Sequence, residues 1–343
     1  MKKIGILTGG GDAPGLNAVI RAVVRKAANN GVSVVGFLEG WKGIIEGNTE
    51  MLDPRITDGV VGEGGTILGS SRTNPFKDPT KVKNILDNFA RFELDAFIAV
   101  GGDDTLGAAN KLYKGHGFKV VGVPKTIDND LSATDYTFGF DTAVNRAMEA
   151  LDNLTSTAKA HRRVMVVEIM GRHAGWIAAA SGIAGGADVT LVPERPFSID
   201  DIVATIKRNR ARGKLYNLVA VAEGATLKAG DNFTASAEKD DFGNVKLGGI
   251  APALAKEIEK RTGFEARHVV LGHLQRGGPP SAFDRILGTR LGLAACDLAL
   301  KGDFGKMVAL RGTKIVAVSL EEGVGQMKKL TDDYFAVLDE FDK

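Results

Sequence analysis

The feature that most limits how this chain can fold is a repeated three-part pattern. A short, largely apolar run leads, in several places through a cluster of glycines, into a segment with helical spacing. Such runs lie at 3–7 (KIGIL), 33–38, 95–100, 119–123, 164–169, 188–192, 217–222 and 268–271. They are continuously apolar rather than alternating, which suits parallel strands covered on both faces. Between them, 16–29, 105–114, 141–158, 200–212, 250–261 and 284–301 place apolar residues on one stripe. Strands alternating with helices predict βαβ units and a doubly wound α/β fold. In such sheets ligands bind beyond the carboxyl ends of the strands.

At 343 residues, a soft prior of one domain per ~150 residues gives two domains. A hint of duplication agrees: apolar strand, glycine cluster and small-residue helix recur at 164–182 (VMVVEIMGRHAGWIAAASG). The polar, aperiodic segment 225–247 reads as a surface insertion. A net charge of +2 is too small an excess for a nucleic-acid partner. The single cysteine, Cys296, rules out an intramolecular disulfide framework and fits a reducing compartment. The apolar run after Lys2 and Lys3 is too short for a secretion signal. No stretch reaches the ~18 apolar residues of a membrane span. A cytoplasmic protein with no membrane partner is expected. Glycine numbers 44, near twice the usual share of ~7%, so the excess belongs to turns or to places where backbone approaches something closely.

Three strand ends carry candidate chemistry. Residues 9–15 (GGGDAPG) precede a helix, so bare backbone N–H groups and a helix N-terminus are available to a phosphate. The same residues also suit a tight strand–helix turn, and they match neither a Walker A loop nor a clean dinucleotide fingerprint. Residues 101–105 (GGDDT) set Asp103 and Asp104 beside bare glycine. They suit either a helix cap or a Mg²⁺ facing phosphate oxygens, since Mg²⁺ takes one or two carboxylates, waters and substrate phosphates. Residues 124–130 (PKTIDND) offer a lysine, a threonine and two aspartates. Phosphoryl transfer needs cations on the moving group, a metal holder and a carboxylate near the acceptor hydroxyl; an Asx-turn is the structural alternative. Arg72, Arg172 and Arg276 each sit in a glycine-rich turn. Guanidinium forks fit phosphate bidentately, although a loop arginine is more often simply solvated.

Together these motifs resemble a known family. TGGGDAPG, GGTILGSSRTNP, GGDDT, PKTIDND, MGRHAGW, AEG (222–224) and LGHLQRGG, in this order, resemble the 6-phosphofructokinases from residue 3 to about 300. The resemblance implies two Rossmann-like doubly wound α/β domains with the active site in the cleft between them. It places a phosphoryl-donor domain at 1–139 plus 275–325 and a fructose 6-phosphate domain at 140–274 plus 326–343. It implies Asp128 as the base for the sugar 1-hydroxyl, Thr126 positioning the transferred phosphate, and Arg172 stabilising it. Asp103 would hold Mg²⁺. Asp130, Met170, Gly171, Glu223 and His273 would line the sugar, and Arg276 would grip the 6-phosphate. Arg163 and Arg267 would join it from a neighbouring subunit of a homodimer or homotetramer. Gly11, Arg72, Asp104 and Lys125 would face the donor.

The donor is expected to be pyrophosphate. ATP-using members of the family commonly carry glycine where this chain has Asp104. A carboxylate there brings bulk and negative charge to the place of the α-phosphate of ATP, while Lys125 supplies a cation for the smaller ligand. The competing readings are an ATP-dependent 6-phosphofructokinase, a lipid or NAD kinase, which would not explain PKTIDND or LGHLQRGG, and a non-catalytic sugar-phosphate sensor. Arg21, Arg25 and Arg212 are candidates for an effector site, but Thr155 and Leu215 stand where the family's allosteric members carry further basic residues. Weak or absent control by ADP or phosphoenolpyruvate is therefore expected.

Overall fold

The computed structural model describes residues 1–228 and 249–342. Its contacts divide the chain into two units. Unit 1 holds Met1–Ile127, Leu131–Thr142 and Arg276–Met327; unit 2 holds Asp128–Asp130, Ala143–Gln275 and Lys328–Lys343. Most of segment 225–247, from residue 229 on, lies outside the described residues.

In chain order, unit 1 begins with β1 (Lys3–Thr8), α1 (Leu16–Asn29), β2 (Ser33–Phe37), α2 (Trp41–Glu46), β3 (Thr49–Leu52), α3 (Pro54–Thr57), α4 (Pro79–Arg91), β4 (Ala96–Gly101), α5 (Asp103–His116) and β5 (Val120–Pro124). Helix α6 (Phe140–His161) leads into unit 2, with β6 (Val164–Ile169), α7 (Trp176–Ala184), β7 (Val189–Leu191), α8 (Ile199–Ala211), β8 (Asn217–Ala222), α9 (Ile250–Thr262) and β9 (Ala266–Val270). The chain then returns to unit 1 for α10 (Ala282–Lys301), β10 (Lys306–Arg311), β11 (Lys314–Ser319) and α11 (Leu320–Val324), and ends in α12 (Asp332–Asp342) in unit 2.

The unit 1 sheet runs β11-β10-β5-β4-β1-β2-β3. Its five inner strands are parallel, and both edge strands, β3 and β11, are antiparallel. All eight apolar runs became strands. β3, β10 and β11 are additions that the sequence reading did not include. The wholly apolar strands are apolar because both faces are covered. Ile4, Ile6, Ile98, Val100 and Val308 pack under α1 and α10. Leu7, Phe37, Phe97, Val120 and Met307 face α2, α4 and α5. Each such fully buried side chain contributes about 1.5–3 kcal/mol. Some of the glycine excess serves this packing rather than turns. A Cβ on Gly292 of α10 would lie 2.7 Å from the Val19 carbonyl of α1, so glycine lets the two backbones approach.

Within this sheet the connections reverse direction at β1. Helix-borne crossovers lead from β1 to β2 on one side, while β4, β5 and β10 extend on the other. The carboxyl ends of β1 and β4 meet at this reversal, where ligands of such sheets sit. Residues 9–11 follow β1, Gly102 follows β4 and Lys125 follows β5, so three of the motifs share one edge of one sheet.

The unit 2 sheet, β7-β8-β6-β9, is parallel throughout. Loop 170–175 follows its β6, Glu223 follows β8, and the turn Gly272–Gln275 comes shortly after β9.

Candidate active site

In unit 1, two loops are laced together at the carboxyl end of β1. The Gly9 N–H donates to the Val100 carbonyl at 2.9 Å, and the Gly10 N–H to the Ser71 carbonyl at 3.1 Å. The Ser70 hydroxyl donates back to the Gly10 carbonyl. Arg72, at the end of this clamp, is exposed. Lys125 is only 4% exposed, and its ammonium donates to the Gly11 carbonyl. Arg276 donates through Nη1 to the Asp12 carbonyl at 3.0 Å, and its guanidinium occupies the space that a Cβ on Gly11 would need. Its Nε is buried with no hydrogen-bond partner. Two cations therefore face one short stretch of bare backbone.

Helix α5 starts at Asp103, two residues earlier than the sequence pattern indicates. Asp103 and Asp104 thus lie in its first turn rather than at its cap, and Gly102 caps without a side chain. Asp103 is exposed and Asp104 half-buried. Acidic residues there favour the helix N-terminus by about 0.3–1 kcal/mol each. Thr105 is buried between the two motifs, 2.7 Å from where a Cβ on Gly9 would be. Thr126, half-buried, accepts on its carbonyl from the Thr137 hydroxyl at 2.7 Å.

The next three residues, Asp128–Asp130, are grouped with unit 2, whereas the division read from sequence kept them with residues 1–139. Asp128 and Asp130 are half-buried. Asn129 between them is 2% exposed and left-handed, with φ 51°.

Loop 170–175 is held from below by acceptors. Glu223 Oε1 accepts from the Gly171 and Arg172 N–H groups at 3.3 and 3.1 Å, and Gln275 Oε1 from Met170 at 3.3 Å. Glu223, expected to line the sugar, thus also shapes the loop that carries Arg172. Arg172 is itself left-handed, with φ 49°, a conformation that costs a non-glycine residue roughly 1–2 kcal/mol. Its carbonyl lies so close to Gly224 that a Cβ there would clash with it. His273 is exposed on the turn Gly272–Gln275. Arg163 and Arg267 converge on one carboxylate: Arg163 Nε donates to Glu265 at 2.6 Å and Arg267 Nη2 to its other oxygen. The Arg163 hydrogen bond, helped by the charge of Arg267, holds the Glu265 carboxyl below its usual range.

Residues 3–299 match the family described as phosphofructokinase. The chain belongs to the phosphofructokinase family. A Streptomyces coelicolor protein named pyrophosphate–fructose 6-phosphate 1-phosphotransferase is 56% identical over 327 residues, 95% of each chain. A second protein of that organism, named ATP-dependent 6-phosphofructokinase 3, is 50% identical over 335 residues, 97% of this chain and 98% of its own. Among solved structures, phosphofructokinase from Saccharomyces cerevisiae matches with TM-score 0.82 and 31% identity. That match covers all of this chain and 47% of the yeast chain, so the chain spans about half the length of that relative.

The family motifs account for the residues on the loops but not for those that hold the loops. Gln275 lies inside LGHLQRGG, yet only the structure gives it its bond to Met170. Glu265 reads in sequence as a surface acid beside a surface arginine. Glu194, which accepts the Gly175 N–H at 3.0 Å, and Lys328 carried no sequence signal. Of the proposed effector residues, Arg25 pairs with Asp58, Arg21 has a buried Nε without a hydrogen-bond partner, and Arg212 ends α8. Among the described residues, no helix is long and apolar enough to cross a membrane.

Proposed function

We propose that this chain transfers a phosphoryl group from pyrophosphate to the 1-hydroxyl of D-fructose 6-phosphate, giving fructose 1,6-bisphosphate and phosphate, reversibly. The observation that carries this reading is the donor end of unit 1. Buried Lys125 donates its ammonium to the Gly11 carbonyl in the bare backbone after β1, while Asp104 adds a carboxylate in the first turn of α5. A buried lysine ammonium suits a compact, highly charged diphosphate. The extra carboxylate repels the longer phosphate chain of ATP. The 56% identical Streptomyces protein carries the matching name. The ATP-dependent alternative rests on relatives such as the 50% identical one, and the character of position 104 weighs against it.

In this reading Asp128 accepts the proton of the 1-hydroxyl as the acceptor oxygen attacks. Base catalysis of this kind contributes about 10²–10⁴-fold. Thr126 and Arg172 hold the moving phosphoryl group, and Lys125 with Arg72 and Gly11 holds the pyrophosphate. Asp130, Met170, Gly171, Glu223 and His273 line the sugar, and Arg276 takes its 6-phosphate. Arg163 and Arg267 join from a neighbouring subunit of a homodimer or homotetramer; their shared tie to Glu265, just before edge strand β9, keeps them together. Unit 1 is then the donor unit and unit 2 the sugar unit. The exposed Asp103 fits a Mg²⁺. Among the described residues no cluster of three ligating side chains exists, so this carboxylate would share the ion with water and diphosphate oxygens, as Mg²⁺ commonly requires. When bound there, the ion neutralises charge on the diphosphate.

The test is a ³¹P NMR time course. Fructose 6-phosphate, pyrophosphate and Mg²⁺ with the purified protein give fructose 1,6-bisphosphate and phosphate. The same mixture forms from the products. No exchange in either direction overturns the reading.

A further inference from the structure

The segment just before α12 makes ties that the proposed chemistry has not used, all within unit 2. The Lys328 N–H donates to the Asp130 carbonyl at 2.7 Å. Its ammonium donates to Asn129 Oδ1 at 2.9 Å and lies 5.4 Å from the centre of the Trp176 ring. Trp176, the first residue of α7, donates its indole N–H to the Lys328 carbonyl at 2.9 Å. Two residues on, the Leu330 N–H donates to Glu194 Oε1 at 3.2 Å. The same carboxylate accepts the N–H of Gly175, where loop 170–175 ends. Residues 328–330 therefore grip both the Asp128–Asp130 turn and the start of α7.

The turn needs such a grip. Asn129 is left-handed, a conformation that asparagine tolerates but that still costs energy. Its amide is buried, and a charge-assisted hydrogen bond from an ammonium is about twice as strong as a neutral one. An anchor for α12 alone would not require the ammonium to reach Asn129.

We propose that Lys328 is a positioning residue: through Asn129 and the Asp130 carbonyl it fixes the turn that carries Asp128, and it ties that turn to the start of α7. The inference rests on the reading of Asp128 as the base. Misplacing such a group by about 1 Å costs on the order of 10²-fold in rate.

The test is a double-mutant cycle on the full chain with Lys328→Met, Asn129→Gly and both together. Glycine keeps the left-handed backbone available while removing the amide. Each single change lowers kcat about 10–100-fold, with KM for both substrates within about 3-fold. The double mutant is no more than about 3-fold worse than either, because the two side chains share one bond. Lys328→Arg restores most of kcat. Hydrogen exchange is read in the same proteins without substrate. Amides of 126–131 exchange about 10-fold faster in Lys328→Met, and those of β6 keep their protection. Wild-type kcat in Lys328→Met, additive losses, or unchanged exchange at 126–131 overturns the proposal. If the wild-type protein shows no turnover, the functional reading has failed instead, and the exchange result alone decides whether Lys328 fixes the turn.

Discussion

A carboxylate at position 104 has two opposing electrostatic consequences. In the first turn of α5 it favours the helix N-terminus, and it opposes any further phosphate brought to the same place. Replacing it with glycine removes the second effect and part of the first. Asp104→Gly is expected to raise kcat/KM for ATP by about 10-fold, which corresponds to 1.4 kcal/mol of relieved repulsion. Steady-state assays with each donor check this, and an unchanged ATP value contradicts the role given to Asp104. In the proposed reading Asp128 acts on the reaction rather than on binding. Asp128→Asn is expected to lower kcat about 10²–10⁴-fold and to leave KM for fructose 6-phosphate within about 3-fold. A wild-type-like kcat removes Asp128 as the base. At this scale the loop residues were legible because each sits in a short motif of polar side chains and glycine. Their supports were not. The bond from Lys328 to Asn129 spans 199 positions, and neither residue type announces a partner at that distance.

The start of α10 shows how an element can carry a pH dependence away from the proposed chemistry. Ser281 caps the helix, its hydroxyl accepting the Asp284 N–H at 3.3 Å. The Asp284 carboxylate, 0% exposed, accepts from the Thr142 N–H and hydroxyl at 2.8 and 2.5 Å. Burial pushes its pKa from 3.8 up to about 6, against the pull of the Thr142 hydrogen bonds. The folded value lies above the unfolded one, so the protonated acid favours folding. That contribution is complete below about pH 4 and is lost as the pH rises through about 6. Two pKa units correspond to about 3 kcal/mol. Urea unfolding between pH 4.5 and 7.5 is expected to show wild type losing stability relative to Asp284→Asn as pH rises. A pH-independent difference between the two contradicts this. Elements themselves were legible where one physical pattern dominates. The inner parallel strands are apolar on both faces, and α1 coincides with the expected segment 16–29. The antiparallel edges β3 and β11 are partly exposed; β3 has no continuous apolar run, whereas β11 carries IVAV, which the expected strands did not include. β10 is similar: its MVAL core is a run of the expected kind, present in the sequence but absent from the expected strands.

Over the whole molecule, the chain passes between the units several times, and one passage is only three residues long. Lys125 and Thr126 are followed almost at once by Asp128, so one short segment carries groups of both units, those that the proposed reading gives to the donor and to the acceptor. That segment, with the other motifs in order, made the family readable before any coordinate was known. Similarity over the whole chain does not decide the donor, since relatives with either donor in their names match nearly all of it. Donor choice is therefore settled by turnover. The most direct measurement is kcat/KM for pyrophosphate and for ATP, each with saturating fructose 6-phosphate and Mg²⁺. A pyrophosphate-dependent enzyme gives a value for pyrophosphate at least about 100-fold above that for ATP, some 2.7 kcal/mol of discrimination. An equal or higher value for ATP contradicts it.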